Sequence, residues 1–306
     1  MSWLISIVVV VNQAGVINMK NIDPQIKDQD LIDHLESNGD YRIIKKLKDQ
    51  THYNDDDGSD KKIAIFLDTE TTGTDLAKDE IIELGMVAFE YSFETGKIFN
   101  IIKTFNELEE PTFEIPIEAS EVNGITMEMV KGHKIDDQKV RDFVNSAAII
   151  LAHNAKFDRH FVEKRFPFFE HTRWGCSIKD VSWHENGLKS RSLEFLAYKY
   201  GYFFEAHRAD KDCMASIHLI SKTLPESQLL VLEDLLTNAR KESIRIAAKG
   251  APFAIKDELR ERGYRWNAEK KYWYIDLDSQ ESDSEMNWLL DEHEVKGEII
   301  CTINAK

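Results

Sequence analysis

IAIFLDTETTG, residues 63 to 73, is an apolar run that stops in two acids, three threonines and a glycine. Its length and composition read as a buried strand with a polar exit. Side chains two apart on a strand share a face, so Asp68 and Glu70 stand side by side with Thr69 on the other face. Carboxylates that close repel, and each raises the other's pKa unless a cation sits between them. Hard divalent ions with oxygen ligands, Mg²⁺ or Mn²⁺, suit such a place. A lone D-x-E is more often an ordinary strand end with solvated acids, so the rest of the chain has to decide.

Working outward, EIIELGMVAFEYSF (80–93) and KIFNIIKTFN (97–106) read as two further strands joined by the hairpin turn FETGK, which makes a three-stranded meander. ASEVNGITMEMVKG (119–132) reads as helix broken at Gly124, DQKVRDFVNSA (137–147) as an amphipathic helix and AIILAHNA (148–155) as a short buried strand. FDRHFVEKRF closes at Pro167, SLEFLAYKYG ends at Gly201, and DKDCMASIHLISKTL (210–224) is a third helix in this half. Strands first and then helices interleaved with strands predict an α/β fold, a mixed sheet flanked by helices. Upstream, Leu31, Ile32 and Leu35, then Ile43, Ile44 and Leu47, have helical spacing and predict one or two short helices, while HYNDDDGSDKK (52–62) reads as a linker or an exposed loop.

The tail APFAIKDELRERGYRWNAEKKYWYIDL (251–277) predicts a small separate α+β module: helix, Gly263, strand, turn at NAEKK, strand. The chain of 306 residues has a net charge of −16, which argues against a surface that grips nucleic acid everywhere. Residues 239 to 274 run the other way, with ten Lys or Arg against five acids. Arg265, Trp266, Lys271 and Trp273 combine cations for phosphate with rings for base stacking. The same rings also suit the core of a tiny domain, and that alternative carries equal weight. Cys176, Cys213 and Cys301 have neither disulfide nor zinc spacing, so a reducing cytoplasm is the expected setting. The apolar WLISIVVVV near the N-terminus is about half the ~20 residues of a spanning helix and lacks preceding Lys or Arg. It reads as a β-rich stub, or as an upstream extension if translation starts at Met19, and no membrane is expected.

Two more segments repeat the logic of the first. ILAHNAKFDRHF places His153 and Asn154 at a strand exit and Asp158 near a helix start, and EAHRADKDC places His207 five residues before Asp212 in the first turn of another helix. DTETTG (68–73), HNAKFD (153–158) and HRADKD (207–212), in that order, resemble the three motifs of the DEDDh exonucleases. This DnaQ-like group includes the epsilon proofreading subunit of bacterial replicative polymerases, RNase T-type enzymes and oligoribonuclease. NGITMEMV (123–130) is similar to the family's G-I-T segment, and the resemblance spans roughly residues 61 to 225. The combination is highly specific although each motif is weak.

The resemblance implies an RNase H-like mixed sheet and a metal-dependent 3′→5′ exonuclease that releases nucleoside 5′-monophosphates. It implies two Mg²⁺ or Mn²⁺ ions, one held by Asp68, Glu70 and Asp212 and one by Asp68 with Asp158, with His207 as the general base. Thr69, Thr71 and Asn154 fall at positions near the terminal nucleotide. The chain departs from the family at Thr74, where a large apolar residue usually follows the glycine, and Leu76 is the candidate substitute. Single-stranded DNA ends are favoured over RNA, and a non-catalytic protein that holds nucleic-acid ends is the competing class. A proofreading role would need a polymerase or repair partner from another chain. The expected organisation is an extension and linker (1–60), the exonuclease domain (61–225), and a helical connector with the basic, aromatic module (226–306).

Overall fold

The computed structural model describes residues 28–37, 39–241 and 243–303. The apolar WLISIVVVV, Met19 and the start of the first predicted helix lie outside them. In chain order come α1 (Asp28–Glu36), β1 (Lys45–Lys46), β2 (Lys61–Thr71), β3 (Ile81–Ser92) and β4 (Ile98–Leu108). The middle of the chain contains α2 (Ile117–Asn123), α3 (Met127–Val130), α4 (Asp137–Val144), β5 (Ile149–Ala152), α5 (Ala155–Arg165) and β6 (Trp174–Cys176). Next are α6 (Leu193–Lys199), β7 (Tyr202–Phe203), α7 (Ala209–Ile220) and α8 (Val231–Asn238). β8 (Ser243–Ala248), α9 (Lys256–Glu261), β9 (Arg265–Asn267), β10 (Tyr272–Asp278), α10 (Ser282–His293) and β11 (Gly297–Ile303) complete it.

The main sheet has the order β4-β3-β2-β5-β6. β2–β3 and β3–β4 are antiparallel, the predicted meander, and β5 and β6 join in parallel beyond β2. Alternation along β2 divides the core. Ala64 and Phe66 pack with Cys213, Ala215 and Ile217 of α7 and with Leu232 and Leu235 of α8. Ile65 and Leu67 pack on the other side with Phe161 and Val162 of α5 and with Val140 and Phe143 of α4. The predicted α/β architecture, a mixed sheet flanked by helices, is the one observed. The apolar core runs on past residue 225 into α8, so packing does not break where the connector was expected to begin.

Residues 43–47 differ from the reading. Instead of a second helix the backbone is extended, and β1 pairs in parallel with β7, with Lys45 N–H donating to Gly201 O (3.0 Å) and Leu47 N–H to Phe203 O (2.8 Å). The Ile43, Ile44, Leu47 spacing is too short to distinguish a helix turn from a strand, and a waiting partner strand decided it. Of the two readings of 52–62, the exposed loop is the one observed, and it is tied down. Thr51 O accepts from Ile101 N–H (2.9 Å), Tyr53 N–H donates to Phe99 O (2.8 Å), and Asp57 pairs with Lys97, so the segment covers the open edge of β4. Leu47 and Tyr53 rest against the α7 side of the core. This apolar contact and the backbone bonds, rather than exposed ion pairs of little worth, hold the segment down.

Residues 243–303 form their own antiparallel sheet, β11-β8-β10-β9, with a separate apolar cluster of Ile244, Ile246, Leu259, Tyr264, Trp273 and Leu289. The helix, Gly263, strand, turn, strand order of the tail is as predicted; β8, α10 and β11 extend it. Among the described residues, all three cysteines are free and no helix is long and apolar enough to cross a membrane.

Candidate active site

β2 is paired on both edges, which fixes where its side chains stand. Asp68 lies opposite Gly85 and Glu70 opposite Glu83 on β3. α7 packs across this face of β2 and β3. A Cβ at position 85 would run into the backbone of Ala209, so only glycine lets the start of α7 come this close. The first turn of α7 thereby delivers Asp212. Asp68, Glu70 and Asp212 each offer a carboxylate oxygen, all within 4.8 Å of one another.

Asp158 comes from the first turn of α5, on the face of β2 that carries Thr69. Its Oδ1 accepts from the Thr69 N–H (3.1 Å) and from the Thr69 hydroxyl (2.9 Å). Both partners are buried, at 3% and 6% exposure. Thr69 thus holds the fourth acid in place from below the cluster. Thr71 donates its hydroxyl to Gly73 O, and its own carbonyl accepts from Asn123 Nδ2 (3.4 Å).

Burial, followed by the charges of Asp158, Asp212, Glu70 and Glu83, raises the Asp68 carboxyl well above the usual range. Burial and the same neighbours push Glu70 up to about 8. Asp158 and Asp212 are raised by burial against the opposing pull of backbone N–H donors. The nearby cation is already engaged. Arg208 Nη2 lies 2.9 Å from Glu83, and the Glu83 carboxylate, fully buried, also accepts from Ala209 N–H (3.1 Å) and Asn106 Nδ2 (2.9 Å). Asp68, Glu70 and Asp212 therefore converge, with Asp158 near enough to raise Asp68, and among the described residues no side-chain cation pairs with any of the four. An all-oxygen, all-carboxylate donor set of this kind fits a hard divalent cation such as Mg²⁺ or Mn²⁺.

His207 is at the edge of the cluster with its side chain exposed. Its backbone is left-handed (φ 65°), a costly conformation for a residue with a Cβ. It is held there by its N–H donating to Asp212 Oδ2 (2.8 Å), with Arg208 N–H on the same oxygen (3.2 Å). His153 is not part of the acid cluster. Its ring bridges Ser177 Oγ (2.8 Å) and Arg191 O (2.8 Å), and burial lowers its pKa to about 4, so it stays neutral and ties the loop before α6 to the end of β5.

Asn154 lines a cavity of about 270 Å³ with Thr74, Leu76, Phe157 and His160. Lys164 of α5 binds the carbonyls of Leu76 (2.8 Å) and Asp79 (3.1 Å) and so fixes the loop that carries Leu76. Leu76 and Phe157 are apolar parts of the cavity lining beside Thr74. In the C-terminal module, Trp273 and Trp266 are direct cross-strand partners with ring centroids 5.5 Å apart. Trp273 is buried at 8% exposure and Trp266 stands out at 50%. Arg265 and Lys271 are exposed on the same hairpin, apart from the acid cluster in the fold.

Two residues that shape the site were not singled out from the sequence. Glu83 sits inside the apolar stretch IIELG, and only its position opposite Glu70 reveals it. Asn123, buried at 5%, hydrogen-bonds the Thr71 carbonyl and neighbours Glu70; the NGIT segment was its signal.

Residues 65–220, half of the chain, match the model of the exonuclease family designated RNase_T. The chain belongs to this exonuclease family. Relatives include the PolC-type DNA polymerase III of Thermotoga maritima, 33% identical over 185 residues, which are 56% of this chain and 12% of that one. The DNA polymerase III subunit epsilon of Aquifex aeolicus is 27% identical over 169 residues, 53% of this chain and 80% of that one. The chain thus spans about an eighth of the length of the PolC-type relatives it matches. Exonuclease X, solved in complex with 5′ overhanging duplex DNA, is similar at 22% identity and a TM-score of 0.41, over 56% of this chain and 99% of that one. In this exonuclease family member the three motif segments are the ones that fold together at the end of β2.

Proposed function

We propose that this chain is a metal-dependent 3′→5′ exonuclease of the DEDDh type that removes nucleoside 5′-monophosphates from single-stranded DNA ends. The observation that carries the reading is the convergence of Asp68, Glu70 and Asp212 within 4.8 Å, with Asp158 and His207 beside them. Asp68, Glu70 and Asp212 would hold one divalent ion and Asp68 with Asp158 a second, and such ions stabilise the charge that develops on the attacking and leaving oxygens. His207 accepts a proton from the attacking water as its oxygen bonds to phosphorus. The bond from phosphorus to the 3′ oxygen breaks, and that oxygen takes up a proton to leave a new 3′ hydroxyl. The terminal base lies against Leu76 and Phe157, Asn154 hydrogen-bonds at the mouth, and the backbone around Thr69 and Thr71 faces the sugar.

DNA is favoured because the relatives with similar sequence are DNA polymerase III proteins. The same likeness favours a polymerase or repair partner and work in the cytoplasm. The assay is digestion of 5′-labelled and 3′-labelled single-stranded DNA and RNA with Mg²⁺ or EDTA. We expect a stepwise ladder from 5′-labelled DNA with Mg²⁺ and none with EDTA. Absence of that ladder refutes the exonuclease, and equal or faster RNA shortening replaces DNA with RNA as substrate.

The module holds the strand behind its terminus. Trp266, half exposed and backed by Trp273, offers a ring for stacking, with Arg265 and Lys271 for phosphates. Stacking of this kind contributes ~1–3 kcal/mol per base. Replacing Arg265 and Lys271 by Ala should lower the salt slope of binding to an oligothymidylate by about 1.4, from ~0.7 per phosphate on single strands. An unchanged slope returns the hairpin to a purely structural role.

A further inference from the structure

His207 lies on a five-residue loop, 204–208, between β7 and α7. At its far end the loop is fixed by Glu83, which binds Arg208 and the Ala209 N–H. Its near end begins at β7, and among the described residues β7 has no strand neighbour except β1, in a two-stranded sheet of its own. The N-terminal segment therefore decides whether β7 exists as an ordered strand. It does more than pair. Lys46 forms an ion pair with Glu205 inside the loop, Asp49 lies 3.6 Å from Lys211 on the first turn of α7, and the Tyr53 ring lies tilted beside His218 at the other end of that helix (6.2 Å between centroids). Beyond it, Thr51 and Tyr53 anchor on the edge of β4. The segment is thus a strap fixed at both ends, crossing the helix of Asp212 and gripping the loop of His207.

We propose that residues 45–53 are a positioning element for His207. The inference rests on the proposed role of His207 as general base. A left-handed histidine with an exposed ring has several orientations open to it, and catalysis by proton transfer needs one. Asp68 and Glu70 need no such help, because β2 holds them, and the start of α7 that carries Asp212 is fixed by the Glu83 bonds to Arg208 and Ala209 N–H, although Asp212 also accepts from the loop's His207 N–H. The strap therefore acts on turnover more than on divalent-ion binding.

Lys45→Pro tests this in the full chain, since it removes the N–H donated to Gly201 O from a residue whose side chain is exposed. Lys46→Glu sets like charges against Glu205, and the swap Lys46→Glu with Glu205→Lys restores the pair. On a 5′-labelled oligonucleotide we expect Lys45→Pro to lower kcat at least tenfold, with KM within twofold and Mn²⁺ binding by calorimetry unchanged. Lys46→Glu should lower kcat severalfold and the swap should recover it. In a His207→Ala background neither change should reduce the residual rate further. Wild-type kcat in Lys45→Pro and Lys46→Glu, alongside an impaired His207→Ala, overturns the strap and leaves the function standing. Equal loss of kcat and Mn²⁺ binding reduces the segment to general support and overturns it as well. Full turnover in His207→Ala refutes the base assignment first, and the strap falls with it.

Discussion

Asp68→Asn should cut turnover about a thousandfold while making the metal-free protein more stable to heat. The two effects have one cause. Asp68 is a carboxylate that burial and four acidic neighbours raise well above the usual range, so in the absence of a cation its charge is a burden on the fold. A raised folded-state pKa means that the folded protein binds protons the unfolded chain releases. Stability is then highest below the unfolded value near 4 and falls as pH rises through the folded values, about 8 for Glu70. The metal-free wild type should lose thermal stability between pH 5 and pH 8, and Mn²⁺ should restore it at pH 8 by binding only the folded state. Asn keeps the shape and deletes one charge, so that pH slope flattens. It also deletes a ligand, so Mn²⁺ raises the melting temperature less, and a loss of ~4 kcal/mol of transition-state stabilisation corresponds to the thousandfold drop. Melting curves of both proteins at pH 5 and pH 8, with and without Mn²⁺, check the first half and a single-turnover assay the second. A metal-free variant less stable than wild type at pH 8 would show that the acids do not repel as described.

His207→Ala should lower kcat by about 10²–10⁴, the range for loss of a positioned general base, with no change in melting temperature or Mn²⁺ affinity. The bond that matters to the fold is its backbone N–H to Asp212, which alanine keeps. The separation of effects is the point of the prediction. Turnover within threefold of wild type would remove His207 from the chemistry and leave it a loop residue.

Much of this was legible beforehand because the decisive signals are local. Strand alternation in IAIFLDTETTG gave the face of Asp68 and Glu70, and helix starts gave Asp158 and Asp212. Long-range pairing was not legible. The bond from Thr69 to Asp158 joins residues far apart in sequence, and no local pattern announces it. Glu83 looked like a polar interruption in a strand until β2 came to lie beside it. Ile43 to Leu47 read as helix because their spacing suits either structure, and β7 is too short to announce itself as a partner. Trp266 and Trp273 were both rightly marked as aromatic hairpin residues, but only the cross-strand register tells which one is support and which one is surface.

Gly85 has a consequence for the choice of ion. The gap between the acids of β2 and Asp212 is the gap between sheet and helix, and Gly85 keeps that gap at its narrowest by offering a hydrogen where any other residue has a carbon. Small divalent ions demand short, uniform oxygen distances, and larger ones tolerate a looser cage. The calibre of the acidic cleft is therefore set on the neighbouring strand, and Gly85→Ala, by forcing sheet and helix apart, should weaken Mg²⁺ binding more than Ca²⁺ binding in calorimetry.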